Sequence, residues 1–233
     1  MREALVADCV GKRFGNRWVL RSASLRATRG ELRALLGRNG AGKSTLLRIA
    51  AGIIAPDSGT VRVHGEFQER ATLARLARQG VLFIPDHDLL SSAFTIREHL
   101  GFVRSPQDVE GITRVGQEMG IAALLDARPF ELSSGERRRA ELAFGILKRP
   151  ACLLADEPLR NVSPIDADAL LRAFVALARQ GCAVVITGHE TPAILGAADH
   201  VTWCTAGTTY EMGPPFMART DERFIRDYLG SRG

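Results

Sequence analysis

The stretch of this chain best suited to chemistry is a glycine-rich octapeptide. It reads Gly-Arg-Asn-Gly-Ala-Gly-Lys-Ser over residues 37–44 and fits the pattern G-x-x-x-x-G-K-[ST]. Glycines allow backbone N–H groups to converge on an anion, and the N-terminus of a following helix adds positive potential. Lys43 can reach the β- and γ-phosphates of a nucleotide, and the Ser44 hydroxyl can hold Mg²⁺. The pattern predicts a phosphate-binding loop, whose candidate binding residues are Gly37, Arg38, Asn39, Gly40, Ala41, Gly42, Lys43, Ser44 and Thr45.

Two adjacent carboxylates follow an apolar strand further along the chain. Residues 153–158 read Leu-Leu-Ala-Asp-Glu-Pro. Asp156 can join the shell of a Mg²⁺ ion, and Glu157 can orient or deprotonate an attacking water. Such a pair is a weak indication alone, but downstream of a phosphate loop it predicts a site that hydrolyses nucleotides. His189 follows another apolar strand, where a histidine is either structural or part of this site.

Predicted strands and helices alternate along the chain. Strands are predicted at 3–10, 18–25, 32–36, 60–64, 81–84, 151–155, 182–186 and 201–204, with a turn over 11–16. Helices are predicted after the phosphate loop, over 69–79 and over 164–180. Residues 95–148 are predicted to be mostly helical, with a capping-box start at Thr95 and a further helix that opens at residues 133–136. The alternation predicts a parallel sheet wrapped by helices, and the block at 95–148 predicts an inserted helical subdomain.

Bulk composition limits the class of protein. At 233 residues and 45% hydrophobic content, the chain suits one large α/β domain or a domain with a small insert. No apolar run reaches about 18 residues and no signal-peptide region opens the chain, so no membrane span or leader is expected. The net charge of +5 is carried by scattered arginines, which favours compositional bias over a nucleic-acid or membrane patch. The cysteines lie in apolar runs without metal-ligand spacing and are predicted to be buried free thiols in a reducing cytosol: Cys9, Cys152, Cys182 and Cys204.

Residues 132–136, Leu-Ser-Ser-Gly-Glu, complete a resemblance to the nucleotide-binding domain of ATP-binding cassette (ABC) transporters. These residues resemble the family's signature L-S-G-G-Q/E, and the resemblance covers essentially the whole chain. Residues 37–45 match the Walker A motif, and residues 153–157 match the Walker B motif with its catalytic glutamate. His189 matches the switch histidine, and Phe14 lies where the family places an aromatic ring that stacks on adenine.

The resemblance implies an α/β fold of the P-loop NTPase, ABC ATPase type. Its core is a mixed sheet wrapped by helices, with an antiparallel N-terminal β-subdomain and an inserted helical subdomain. It implies a single ABC ATPase domain over 1–233, in which 1–94 and 149–233 form a RecA-like core with the β-subdomain and 95–148 the helical signature subdomain. Residues 213–230 look like the ends of branched-chain amino-acid importer and lipopolysaccharide-exporter ATPases.

The resemblance also implies roles for single residues. In this family two domains pair head to tail, and each ATP is held between the phosphate loop of one and the signature of the other. The implied catalytic residues are Glu157, His189 and Lys43. The implied ATP contacts are Phe14, the phosphate loop and the signature residues Ser133, Ser134, Gly135 and Glu136. The implied Mg²⁺ ligands are Ser44, Asp156 and Asp86.

Three segments of the chain depart from the family pattern. Asp86 stands where the family usually has glutamine, and Ser134 replaces the first glycine of the signature. Ser163 stands where the family has aspartate, and Asn161 replaces a glycine nearby. Asp86 is either an accident of loop sequence or a device that ties domain closure to the metal. Because the catalytic residues are intact, we interpret the chain as a competent ATPase with unusual coupling loops.

The predicted function is ATP binding and hydrolysis that energises transport by a separate membrane-spanning partner. The second expected partner is another ABC ATPase subunit, in a homodimer or a heterodimer, and no nucleic-acid partner is expected. The expected location is cytoplasmic, peripheral on the inner face of the cytoplasmic membrane. Two alternatives stay open, a soluble ABC ATPase such as those of iron–sulfur cluster assembly and a nucleotide sensor of low turnover.

Overall fold

The computed structural model describes residues 2–104 and 107–230, which build a ten-stranded sheet with the order β5-β4-β1-β2-β10-β9-β3-β8-β7-β6. The strands are β1 Glu3–Phe14, β2 Arg17–Thr28, β3 Leu32–Leu36, β4 Ser58–Val63, β5 Glu66–Phe67, β6 Val81–Ile84, β7 Cys152–Ala155, β8 Ala183–Thr187, β9 His200–Thr205 and β10 Thr208–Gly213. The helices are α1 Lys43–Ala50, α2 Leu73–Arg78, α3 Ile96–Val103, α4 Val109–Glu118, α5 Ser134–Lys148, α6 Pro164–Arg179, α7 Thr191–Ala197, α8 Pro215–Ala218 and α9 Glu222–Phe224. Single 3₁₀ turns occupy Ala122–Leu124 and Pro129–Glu131, and a π-helical turn occupies Ile225–Leu229. The expected α/β architecture with a mixed sheet is confirmed.

Five neighbouring strands run parallel and bring the candidate residues to one edge of the sheet. β3 pairs with β8 and β9, and β7 pairs with β8 and β6. Every residue of β3, β6, β7 and β8 is buried, as expected for parallel strands covered on both faces. The carboxyl ends of these four strands carry the phosphate loop, Asp86, Asp156 and His189. In open α/β sheets this is the edge at which ligands bind.

The N-terminal hairpin is longer than the sequence predicts. β1 reaches Phe14 and β2 begins at Arg17, so the turn contains only two residues, and the predicted turn over 11–16 is wrong. Gly11 lies inside β1, where a Cβ would overlap the Ser58 hydroxyl of β4. This glycine therefore serves a close approach of two strands rather than a turn.

A strand that the sequence does not predict, β10, joins the two parts of the sheet. It runs antiparallel to β9 and meets β2 through the pair Thr208 and Ser22. The Thr209 hydroxyl extends this seam, because it accepts from the Ser24 N–H at 2.6 Å and donates to the Ser24 carbonyl at 2.8 Å. The antiparallel β-layer and the parallel core are therefore one continuous sheet.

Helices α3–α5 and both 3₁₀ turns lie in the block predicted to be helical. The capping box predicted at Thr95 is confirmed, and the helix predicted to open at residues 133–136 begins with a second capping box at Ser133. Apolar residues of this block, such as Ile96 and Ile112, belong to the same hydrophobic cluster as Leu153 of β7. The division into subdomains stays a prediction, and its residues 1, 105–106 and 231–233 lie outside the described residues. Helix α2 is shorter than predicted because Thr72 caps its start, accepting from the Arg75 N–H at 3.4 Å.

The expected state of the cysteines is confirmed for three of them. Cys152, Cys182 and Cys204 are buried free thiols, whereas Cys9 is exposed. Cys9 has φ of +49° and lies where the pairing of β1 with β2 shifts register, so a bulge turns its side chain away from the core. In the part of the chain that the structure describes, no helix combines the length and the apolar character needed to cross a membrane.

Candidate functional site

The phosphate loop links β3 to α1 in a conformation that requires its glycines. A Cβ at Gly37 would overlap the carbonyl of Cys204 in β9, and Gly42 has φ of +110°. Gly42 is the N-cap of α1 and supplies no side-chain acceptor. The first N–H groups of α1 therefore have no side-chain cap and point toward the loop, which is the arrangement that binds phosphate.

Lys43 is held inside the loop by the loop's own carbonyls. Its Nζ donates to the Gly37 carbonyl at 2.7 Å and to the Arg38 carbonyl at 3.3 Å, and the residue is 5% exposed. Burial lowers the pKa of Lys43, while the negative charge of Glu157 opposes this shift. The ammonium group is thus pre-placed at the loop and can exchange carbonyl oxygens for phosphate oxygens.

Asp156 is buried beneath the loop with one carboxylate oxygen free. Its Oδ1 accepts from the Ser44 hydroxyl at 3.0 Å and from the Thr187 hydroxyl at 2.8 Å. Its Oδ2 is buried and has no hydrogen-bond partner among the described residues. Burial raises the pKa of Asp156 despite both hydrogen bonds. An unpaired buried carboxylate oxygen beside a serine hydroxyl fits Mg²⁺, which takes hard oxygen ligands.

The surroundings of Asp156 limit how such an ion could be held. Across residues 2–104 and 107–230, no group of three or more His, Cys, Asp or Glu side chains is arranged to hold a metal. Mg²⁺ usually needs only one or two carboxylates, because waters and substrate phosphates complete its shell. The donor set of Ser44 and Asp156 therefore suits an ion that arrives with a nucleotide.

Glu157 and His189 face each other at the mouth of the site. The Nε2 atom of His189 lies 3.1 Å from Oε1 of Glu157. Glu157 has φ of +48°, which is uncommon for this residue, and its N–H donates to the Thr187 hydroxyl at 2.8 Å. The Thr187 hydroxyl therefore contacts both acidic residues, and sequence reasoning did not identify this role.

A cavity of about 340 Å³ lies over the phosphate loop. Its lining combines residues of the loop and α1 with Glu157 from the end of β7 and with Arg17 and Val19 from β2. The structure thus brings Lys43, Ser44 and Glu157 to one cavity. Arg17 and Val19 were missed because a basic and an apolar residue in a strand carry no recognisable signal.

Phe14 stands next to this cavity rather than in its lining. It is 49% exposed and pairs across the hairpin with Arg17, which does line the cavity. The Lys12 ammonium lies 5.6 Å from the centroid of the Phe14 ring. An exposed aromatic ring at this position is free to stack on a base, and the role of Phe14 stays a prediction.

Asp86 is ion-paired with the helix that follows the phosphate loop. Its Oδ1 lies 3.3 Å from Nη2 of Arg48 in α1 and 3.1 Å from Nδ1 of His87. Burial works against its ionisation, but the hydrogen bond from His87 and the charge of Arg48 hold the pKa of Asp86 below its usual value. The negative charge of Asp86 also contributes to raising the pKa of Asp156. Asp86 is therefore near the acidic site, although its direct partners are basic.

The signature residues lie away from the phosphate cavity of the same chain. Ser133 caps α5, and its N–H and hydroxyl donate to Glu136 at 2.8 and 2.7 Å. The Ser134 hydroxyl donates to the Asn161 carbonyl at 2.5 Å. All four residues from Ser133 to Glu136 are described, and none of them lines that cavity.

Comparison with known proteins decides the family. A sequence model described as ABC transporter matches residues 20–160, which is more than half of the chain. A probable ABC transporter ATP-binding protein of Azorhizobium caulinodans is 32% identical over 97% of this chain and 83% of the relative. The chain belongs to the ABC transporter family.

This ABC ATPase is also similar to the ATP-binding protein of a named export system and to a solved ATP-binding cassette. It is 29% identical to the lipopolysaccharide export system ATP-binding protein of Haemophilus influenzae, over 98% of both chains. A solved ATP-binding cassette of an ABC transporter in its ADP conformation matches with a TM-score of 0.86 over 99% of this chain and 100% of the other. At 22% identity that match concerns the fold alone. The resemblance predicted from the motifs is confirmed, and this ABC protein is an ATP-hydrolysing enzyme.

Proposed function

We propose that this ABC ATPase energises a transporter whose membrane-spanning part is a separate chain. One observation carries the proposal: the phosphate loop and Glu157 share a cavity, with Asp156 beneath it, while the signature residues of the same chain lie outside it. A nucleotide in that cavity would meet only one set of donors. The second set must come from another chain, as expected for paired ATPase subunits that close and open together.

In the proposed mechanism Glu157 is the general base. One carboxylate oxygen takes a proton from the attacking water, whose oxygen bonds to the γ-phosphorus while the bond to the leaving ADP oxygen breaks. The other oxygen, Oε1, stays 3.1 Å from His189, whose Nε2 donates when it carries the proton. Lys43 leaves the loop carbonyls and contacts the phosphates.

The proposed cofactor is Mg²⁺, bound together with ATP. When bound, the ion neutralises charge on the β- and γ-phosphate oxygens. Ser44 Oγ and Oδ2 of Asp156 would hold it, and the lack of a hydrogen-bond partner for Oδ2 among the described residues supports this assignment. Asp86 would act on the ion through a water, because its own side chain is paired with Arg48.

The signature would serve the nucleotide that a second chain binds. The Ser133 hydroxyl, the Gly135 N–H and the N-terminus of α5 would supply the additional anion donors. Glu136 would keep the Ser133 cap in shape, since it accepts from Ser133 at 2.7 and 2.8 Å. Phe14 would stack on the adenine of its own chain. A homodimer is the simplest arrangement that gives two such sites.

The proposed location is the inner face of the cytoplasmic membrane, where the ATPase pair docks on its membrane-spanning partner. Relatives named as transporter ATP-binding proteins support this placement. The positive charge is carried by arginines that are spread along the sequence, and no nucleic-acid partner is proposed.

Co-purification tests this proposal directly. A tagged chain expressed in its native host should be recovered from detergent-solubilised membranes together with a membrane-spanning chain, which mass spectrometry identifies. A strain with the tag on an unrelated protein controls for membrane proteins that adhere to the resin. Recovery with iron–sulfur assembly proteins would instead support the first alternative. Recovery of the chain alone, with almost no ATP turnover, would support the sensor.

A further inference from the structure

Three of the residues that depart from the family pattern, Ser134, Asn161 and Ser163, lie close together. Ser134 begins α5, and its hydroxyl donates to the backbone carbonyl of Asn161 at 2.5 Å. Asn161 belongs to the loop of residues 156–163 between β7 and α6, and Ser163 is the N-cap of α6. Substitutions that look unrelated in the sequence are therefore parts of one contact between two helix starts.

Asn161 has the backbone conformation that this contact needs. Its φ is +58°, in the left-handed region that glycine adopts freely and that asparagine tolerates better than most residues. Asparagine can thus replace glycine here with little change in the loop. The difference from the family pattern is the donor to the Asn161 carbonyl. Ser134 supplies a hydroxyl there, whereas the glycine of the family pattern would have none.

A second link joins the same two helices behind Ser134. Arg139 of α5 forms an ion pair with Asp166 in the first turn of α6. Asp166 also accepts from the Ser163 hydroxyl at 2.7 Å, and a Cβ at Gly135 would overlap the Asp166 carboxylate. The starts of α5 and α6 are therefore in close contact, with Ser134 and Asn161 on the exposed side.

This contact is connected to the catalytic carboxylate by a short stretch of backbone. The Arg160 N–H donates to the Glu157 carbonyl at 3.1 Å, and the Glu157 N–H is fixed by Thr187. Asn161 follows directly in the chain. If the α5 N-terminus moved, the hydrogen bond from Ser134 to Asn161 would therefore move the loop that carries Glu157 as well.

We propose that Ser134 is a positioning residue for ATP hydrolysis, which ties the start of the signature helix to the loop that carries Glu157. The proposal rests on the proposed function, in which the α5 N-terminus serves the nucleotide of a second chain. Ser134 then connects two parts of one chain. The first is the α5 N-terminus, which contacts the nucleotide of the second chain, and the other is Glu157, which acts on the nucleotide of its own chain. Its hydroxyl is committed to Asn161 and is not a direct donor to the nucleotide.

The test compares Ser134→Ala, Ser134→Gly and Ser134→Thr in the full chain. Alanine and glycine both remove the hydroxyl but have opposite effects on helix formation, whereas threonine retains the hydroxyl. We expect kcat to fall about three- to tenfold in both the alanine and the glycine variant, as for loss of one hydrogen bond. The Ser134→Thr variant should retain the kcat of the parent. ATP affinity of the single chain, measured by calorimetry in the presence of EDTA, should not change.

The second readout is pairing of the chains. In a Glu157→Gln background, Ser134→Ala should raise the Mg-ATP concentration needed for half-maximal dimer formation by a similar factor, measured by light scattering. Ser92→Ala is the matched control, because Ser92 is exposed and no hydrogen bond to it is found within the described residues. The Ser92→Ala variant should need the same Mg-ATP concentration for half-maximal dimer formation as the parent.

The outcomes separate this inference from the proposed function. If the parent forms no Mg-ATP-dependent dimer, either alone or with a co-purified ATPase subunit, the proposed function fails and the inference fails with it. If the parent dimerises but alanine and glycine variants match it in kcat and in dimer formation, only the inference is wrong. Opposite effects of alanine and glycine would assign the effect to helix propensity and would also overturn the role of the hydroxyl.

Discussion

Glu157 is the residue on which hydrolysis should depend most. Replacing it with glutamine removes the proton acceptor but keeps the size of the side chain and a contact for His189. We expect Glu157→Gln to lower kcat by about 10²–10⁴-fold, the range of general-base catalysis. ATP binding should persist, because the phosphate loop and Lys43 are untouched. Steady-state phosphate release and calorimetry measure the two quantities.

Glu69→Gln is the matched control for that experiment. Glu69 is an exposed residue outside the site, so the same change of carboxylate to amide should leave kcat unaltered. Near-native turnover of Glu157→Gln would remove Glu157 from the mechanism.

Asp86 offers a test of how metal and closure are coupled. Asp86→Gln restores the family residue and removes a negative charge that lies near Asp156. Less negative charge beside the γ-phosphate should ease closure before Mg²⁺ is bound. We expect faster hydrolysis at low Mg²⁺ and a shallower dependence on the metal.

A neighbouring carboxylate provides the control for the Asp86 experiment. Asp88 lies in the same loop but pairs with Arg137 of α5 at 2.9 Å. Asp88→Asn should keep the metal dependence of the parent. An Asp86→Gln variant with unchanged rate and unchanged Mg²⁺ dependence would take Asp86 out of the shell of the ion.

Thiol reactivity should distinguish Cys9 from the other cysteines. The thiolate is the reactive form, and burial raises the pKa of Cys182 to about 12 and that of Cys204 to about 11. Burial also raises the pKa of Cys152 well above its usual value. Iodoacetamide should therefore add one carbamidomethyl group to the native protein, at Cys9, as read by intact mass. Guanidinium should expose all four thiols, whereas several adducts on the folded protein would contradict the burial described above.

Among the elements, α5 carries a largely buried charge pair, Arg138 and Glu141. Both side chains form hydrogen bonds with the backbone of the segment after β6. Glu141 is 0% exposed and accepts from Arg138 at 2.7 Å and from the Leu89 N–H at 2.9 Å. Arg138 also donates to the carbonyls of Pro85 and Asp86 at 3.1 and 2.6 Å. The helix that begins at the signature is thereby connected to the loop that contains Asp86.

Breaking this pair should destabilise the fold strongly. Glu141→Ala leaves the largely buried Arg138 guanidinium without its charged partner and the Leu89 N–H without its acceptor, which costs about 3–5 kcal/mol. The exposed pair of Arg172 and Asp168 on α6 is the control, because breaking it with Asp168→Ala should cost about 0–1 kcal/mol. Urea unfolding gives both free energies. Similar losses of unfolding free energy in the two variants would show that the buried pair contributes no more to stability than the exposed pair.

Elements with strong local signals could be predicted closely from the sequence. β6 is predicted at 81–84 and lies at Val81–Ile84, because its apolar run stops at a proline. The capping box at Thr95 and the helix start at Ser133 could also be predicted, because the two partners of each box lie three residues apart in the chain. The phosphate loop follows from residues that are adjacent in the chain.

The features that could not be predicted depend on distant parts of the chain. β10 is at best half-buried and shows no apolar alternation, so it is a strand only because β9 offers a partner. The pairing of Asp86 with Arg48 and of Ser134 with Asn161 joins residues 38 and 27 positions apart. The motifs identify the residues of the site, but they do not indicate which polar neighbour each residue selects.

For the whole molecule, nucleotide should control association. In the Glu157→Gln variant, Mg-ATP should convert the monomer to a dimer, because each site needs donors from a second chain. Multi-angle light scattering measures the mass with and without Mg-ATP. The double variant with Lys43→Ala should stay monomeric, since it loses a charge-assisted contact to the phosphates. A constant mass, also in the presence of any co-purified ATPase subunit, would contradict the paired site.

The ribosome makes β3 early and both of its neighbours late. β8 and β9, which flank β3, come after helices α1–α6 in the chain. Until β9 exists, Gly37 lacks the Cys204 carbonyl against which it packs, and Ala41 lacks the hydrogen bond from the Cys204 thiol at 3.2 Å. A nascent or truncated chain that ends before β9 thus carries the complete Walker A sequence without these two contacts. We therefore expect that fragments which end before β9 neither bind nor hydrolyse ATP.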